Sequence, residues 1–86
     1  MGKIPSRLLE QIISDPYYSK CARKDVECSG RVTLEHALTY AGRQIQEKWA
    51  IIPLCWFHHL GAGLNKRINQ RIAFGRATDE DLLKYP

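Results

Sequence analysis

Trp49-Ala50-Ile51-Ile52-Pro53-Leu54-Cys55-Trp56-Phe57-His58-His59-Leu60 changes character at its middle. The first half is rich in β-branched and large apolar residues and reads as a strand, with Pro53, which cannot donate to a ladder, placing its end at an edge. From Cys55 onward the run reads as a helix start, loosened at Gly61 and Gly63. A strand that becomes a helix at a Cys-x-x-His sets a thiol and an imidazole one turn apart. The free N–H groups of a helix N-terminus also stabilise a thiolate at Cys55. That is half of a metal site.

The other half lies upstream. Cys21 and Cys28 stand in a charged stretch from Tyr17 to Gly30 that closes on Ser29-Gly30 and reads as a loop or knuckle. Cys21, Cys28, Cys55 and His58 together supply the four N/S ligands of a structural zinc and use every cysteine of the chain, although Cys-x6-Cys is wider than the usual knuckle. The competing reading is three ordinary buried thiols and a core histidine. Two constraints favour the metal. An odd number of cysteines cannot close a disulfide framework, and a chain of 86 residues buries too little surface to rest on an apolar core alone. Zinc would then supply folding free energy outright, and chelation should unfold the domain.

Around this centre the pattern predicts one α+β domain over 1–86, without repeat or low-complexity tract. A helix is expected over 5–14, with Ser6 as a cap, Leu8, Leu9, Ile12 and Ile13 at helical spacing, and Asp15-Pro16 as the stop. Arg31 to His36 alternates polar and apolar residues as a half-buried strand, and a turn is expected at Ala41-Gly42. The two strands then form a hairpin with a long loop, and the zinc knuckle and ββα core span 17–60. C-terminal helices are expected over 64–84: Leu64, Ile68 and Ile72 at helical spacing, then a capping box at Thr78-Asp79-Glu80-Asp81 opening a short helix that buries Leu82 and Leu83.

Folding such a hairpin onto the helix at Cys55 brings Glu35 and His36 toward His59. Adjacent strand residues point to opposite faces, so Glu35 and His36 share a site only where the strand is ending or bulged. An acid-His pair, a strand ending Ile52-Pro53-Leu54-Cys55 and then x-x-His58-His59 resembles the HNH, or ββα-metal, nucleases with a treble-clef-like zinc knuckle. The resemblance covers about half the chain, from Cys21 to Leu60. Leu34-Glu35-His36-Ala37-Leu38, Tyr40 to Trp49, and Pro53 to His59 more specifically resemble the phage-encoded, RecA-dependent nucleases of the Ref type.

That resemblance implies an endonuclease hydrolysing DNA phosphodiester bonds to 5′-phosphate and 3′-hydroxyl ends, in phage recombination. It implies His36 as general base, and Glu35 and His59 as ligands of a catalytic Mg or Mn ion beside the structural zinc. A RecA filament is an implied partner, and a bacterial host cell the implied setting. The chemistry suits the residue types, because a neutral imidazole takes a proton from water while a divalent ion neutralises phosphate and leaving oxygen. The asparagine that gives the family its middle letter is replaced by Ala50, so Gln44 or Gln46 is left to brace the His36 loop across the hairpin. Asn65 is a further candidate ligand.

A net charge of +4 favours an anionic partner. Lys66, Arg67, Arg71 and Arg76 on the last long helix, with Lys20, Arg23, Lys24 and Arg43 around the knuckle and hairpin, are candidate phosphate contacts, sequence-independent and salt-sensitive. The same residues also suit a solvated basic face. The longest apolar stretch is too short and interrupted to span a bilayer, and no export signal is visible, so a cytoplasmic protein is expected. The alternative to an enzyme is a non-catalytic zinc-stabilised module that binds nucleic acid or protein.

Overall fold

In the computed structural model, which describes residues 4–85, the chain runs through α1 (Ser6–Ile13), a 3-10 turn (Pro16–Ser19), β1 (Val32–His36), β2 (Thr39–Tyr40), β3 (Arg43–Gln44), a second 3-10 turn (Lys48–Ala50), β4 (Ile51–Cys55), α2 (Trp56–His59), α3 (Lys66–Arg76) and α4 (Asp79–Leu83). The fold is α+β. Its organising pair is β1 against β4, antiparallel, from Val32 opposite Cys55 to His36 opposite Ile51. The long connection between them holds its own two-stranded hairpin, β2 with β3.

Every residue of β4 is buried. Alternation divides its side chains between two layers. Ile52 and Leu54 join Leu38, Ile45, Trp49 and Ala73 in the larger core, whereas Ile51 packs with Ile12 of α1 and Tyr18 of the first 3-10 turn. Full burial of each such aliphatic side chain stabilises by about 1.5–3 kcal/mol, so β4 is the spine on which both layers rest. Arg76 locks the layers together. Its Nη1 donates to the Tyr18 hydroxyl at 2.8 Å and to the carbonyls of Lys48 and Ile51 at 3.1 and 2.9 Å, and its guanidinium stacks on the Tyr17 ring. It therefore leaves the set of candidate phosphate contacts.

Several expected details shift. Pro5 occupies the N-cap of α1 and no side chain caps that end, so Ser6 is the first helical residue. α3 starts at Lys66, with the Asn65 side chain accepting from the Ile68 N–H, which commits Asn65 to capping and leaves Leu64 outside the helix. The fully buried positions of α3 are Asn69 and Ala73, one residue round from the Ile68 and Ile72 stripe. The capping box at Thr78 and Asp81 is present, but α4 buries neither Leu82 nor Leu83, which are 37% and 77% exposed, because α4 lies at the rim with no layer above it. No helix among the described residues is long and apolar enough to cross a membrane.

The β2–β3 turn has positive φ at both central residues, Ala41 (52°) and Gly42 (80°), as a two-residue hairpin turn of the primed type requires. A Cβ-bearing alanine is strained there by about 1–2 kcal/mol. Ala41→Asn, which creates the favoured Asn-Gly pair, should therefore stabilise the zinc-loaded protein by about 1 kcal/mol, or roughly 4–8 °C in a thermal melt. An unchanged or lower melting temperature would contradict the turn assignment.

Candidate metal centre and the cavity beside it

Cys55 sits at the N-cap of α2, the residue at which the strand ends and the helix begins, so its thiol faces the first turn. His58, one turn on, is 1% exposed, and its Nδ1 lies 3.2 Å from the sulfur of Cys55 and 3.6 Å from those of Cys21 and Cys28. All four ligand atoms fall within 4.8 Å of one another. A tetrahedral zinc with Zn–S bonds of about 2.3 Å and Zn–N of about 2.0–2.1 Å sets sulfur and nitrogen about 3.6 Å apart. The quartet read from spacing thus converges to the dimensions of a zinc ion and could hold one.

The knuckle is fixed from both sides. Ala22 N–H donates to the Pro53 carbonyl at 2.8 Å, which ties Cys21 to β4, and Phe57 N–H donates to the Ser29 carbonyl at 3.2 Å, which ties Cys28 to α2. Two glycines permit the approach. Gly30 has a φ of +81° and would place a Cβ 2.6 Å from the Cβ of Trp56; at Gly63 a Cβ would meet the Phe57 ring at 2.5 Å and the His58 ring at 2.8 Å. These glycines, legible in the sequence only as a loop end at Gly30 and a helix breaker at Gly63, seat the chain against α2 and its metal ligands.

Electrostatics prepare the same atoms. Burial pushes the Cys55 thiol up, but the backbone N–H groups of His58 and Ser29 and the side chains of His58 and Cys21 outweigh it, leaving Cys55 at about 6. Burial and the neighbouring thiols of Cys21 and Cys55 hold Cys28 at about 11. Ionising all three sulfurs at once would require a cation between them.

Asp25 was not foreseen. Its Oδ2 lies 3.0 Å from His58 Nε2, the nitrogen that faces away from the sulfurs. A carboxylate on the far nitrogen of a ligating imidazole fixes the tautomer and raises ligand basicity. The available signal was an acid within the Cys21–Cys28 loop, indistinguishable there from a solubilising charge.

His59 follows His58 by one residue, about 100° round the helix, and so faces a different way, toward β1. Thr33 and Glu35, two apart on β1, present one face to it. The Thr33 hydroxyl donates to the Leu54 carbonyl at 2.8 Å, so its contact with His59 Nδ1 at 2.5 Å must be an acceptance. His59 consequently carries a proton on Nδ1, and its Nε2 faces Glu35 Oε1 at 3.5 Å. The contact is an ion pair when Nε2 is protonated and a pair of converging acceptors, open to a cation, when it is not. Right-angled to tetrahedral coordination with bonds near 2.1 Å separates ligand atoms by about 3.0–3.4 Å.

His36, the last residue of β1, reaches Gln46 Oε1 through Nε2 at 3.0 Å. With the amide oxygen accepting, Nε2 holds the proton and Nδ1 keeps a lone pair. The next residue is anchored as well, Ala37 N–H donating to the carbonyl of Ala50 at 2.9 Å. Glu35 and His36 line one cavity of about 320 Å³, together with Thr39, Gln44, Lys66 and Asn69. Glu35 is thus the shared member, paired with His59 and sharing a cavity with His36. Among the described residues, however, these three do not form a second group of mutually close ligand atoms.

Of the basic candidates, Lys66 lines that cavity, Lys20 and Lys24 line another beside Cys21, Cys28 and Cys55, and Arg67, Arg71 and Arg43 are exposed. Arg23 is engaged by the Gly63 carbonyl at 3.2 Å.

Asp25→Ala should weaken zinc affinity about 10–100-fold, measured by competition with a chromophoric chelator. Unchanged affinity would reduce the Asp25–His58 contact to a surface ion pair. Comparison of the chain with family models, with curated proteins and with solved structures gives no match, so its function is argued from this arrangement of side chains.

Proposed function

We propose that this protein is a divalent-metal-dependent endonuclease of the HNH, or ββα-metal, type that hydrolyses DNA phosphodiester bonds, with zinc as a structural staple. One observation carries the reading: His59 Nε2 converges on the Glu35 carboxylate, and Glu35 shares a cavity with an imidazole, His36, that is braced by Gln46. A merely structural ion pair gives no reason for a neighbouring imidazole to be braced with one nitrogen free.

Glu35 and His59 would hold a Mg or Mn ion, which when bound neutralises charge on the scissile phosphate and the leaving 3′ oxygen. Mg characteristically takes one or two protein ligands and completes its shell with water and substrate phosphate, so a two-residue site is sufficient. His36 Nδ1 accepts the proton of the attacking water, and Gln46, accepting from Nε2, stabilises the imidazolium that results. The water oxygen bonds to phosphorus as the P–O3′ bond breaks, and the departing 3′ oxygen takes a proton from solvent, leaving a 5′-phosphate and a 3′-hydroxyl. Gln46 thereby takes over the brace that Ala50 cannot give. Lys66 and the exposed arginines supply phosphate attraction that weakens as salt rises.

Zinc-loaded protein with Mg or Mn should nick supercoiled plasmid or cut single-stranded DNA, supplied free or as RecA filaments, and folded His36→Ala should lose at least about 100-fold in rate. Equal activity in the two proteins would remove His36 from the chemistry. Binding without cutting on every substrate would replace the enzyme by a zinc-stabilised binding module.

A further inference from the structure

Asn69 is 1% exposed, yet among the described residues neither its Oδ1 nor its Nδ2 finds a hydrogen-bond partner, and neither does the buried Oε1 of Gln44. An unpartnered buried amide is destabilising, and folded proteins seldom leave two in one place. Both residues line the cavity that holds Glu35, His36 and Lys66. They arrive from different elements, Asn69 from the buried face of α3 and Gln44 from β3 of the small hairpin. Position 69 lies in the layer whose other fully buried α3 residue is Ala73, where an apolar side chain would serve packing better.

The unmet groups define a ligand. Asn69 offers one donor and one acceptor side by side, and Gln44 adds a second acceptor. The Watson–Crick edge of guanine is the complement, with O6 accepting beside N1–H and N2–H2 donating. The cavity of about 320 Å³ is at the small end of ligand pockets, sized for one base rather than a large molecule. Lys66 at the same cavity supplies a cation for an attached phosphate. Resting on the nuclease reading, the geometry points to this cavity as a base-reading subsite: Asn69 and Gln44 take an unpaired guanine beside the scissile phosphate. Asn69 Nδ2 donates to O6, Asn69 Oδ1 accepts from N1–H, and Gln44 Oε1 accepts from N2–H2. Because that edge is hidden in a duplex, the substrate is single-stranded or locally opened at this position.

The test is cleavage mapping at nucleotide resolution, with Mg or Mn, on single-stranded thymine oligonucleotides carrying one guanine, adenine, cytosine or inosine. Cutting next to guanine should exceed that next to the other three standard bases by about tenfold or more, the discrimination of a bidentate amide contact. Inosine, which lacks the 2-amino group, should be cut less than guanine by wild type but equally by Gln44→Ala. Asn69→Leu should flatten the preference to within about twofold while its melting temperature stays level or rises, because it removes an unsatisfied buried amide. Should that variant fold poorly, the guanine–inosine comparison in Gln44→Ala still decides. Cutting without base preference, or an inosine effect that survives Gln44→Ala, overturns the subsite while leaving the nuclease reading intact. No cutting of any oligonucleotide or plasmid removes both.

Discussion

The convergence of three sulfurs on the Nδ1 of His58 is the constraint from which the rest of this fold follows. Cys21 and Cys28 belong to a loop with no regular structure, whereas Cys55 and His58 belong to the junction of β4 and α2. Cys21 and Cys55 meet in the larger core, but the knuckle between the first two cysteines carries the fully exposed Val26. A cation among these ligands would offset the mutual repulsion of the thiolates and fix the loop against the strand, as suits a small domain with a thin core.

The same junction couples fold to chemistry. α2 is a single turn, and its two consecutive histidines are turned in different directions by helix geometry alone. His58 is committed to the sulfurs and braced by Asp25; His59 is committed to Thr33 and Glu35 on β1. Anything that holds His58 therefore also sets where His59 points. The β1–β4 register completes the arrangement, because placing Thr33 opposite Leu54 lets one hydroxyl bond both a strand carbonyl and the imidazole. On this account the staple and the reactive site are adjacent by construction, and loss of the first disorders the second.

Much of this was legible in the residues. Cysteine spacing was enough to name the quartet, since all three thiols are used and the Cys-x-x-His step singles out His58, and the alternation in Arg31 to His36 and the apolar run before Cys55 were enough to pair the strands. What the sequence concealed were roles set by tertiary direction. Arg76 looks like one more basic residue on a helix until the tyrosines and carbonyls it joins are brought together. The stripe of Ile68 and Ile72 suggested the buried face of α3, yet the helix is rotated so that Asn69 and Ala73 take it. Periodicity cannot see this, because a buried asparagine reads as a polar position and an alanine as a neutral one. Leu82 and Leu83 looked like core because they are leucines after a cap, whereas burial depends on a layer that is absent at the rim.

The account stands or falls on whether His58 and His59 serve two different metals. Electron paramagnetic resonance of Mn2+ added to zinc-loaded protein measures this directly, with Glu35→Gln as the comparison. One Mn2+ bound per chain in the wild type, with zinc retained, and loss of that binding in the variant is the predicted result. Absence of specific Mn2+ binding, or equal binding by the two proteins, would contradict it and leave the Glu35–His59 contact as an ion pair that holds α2 to β1.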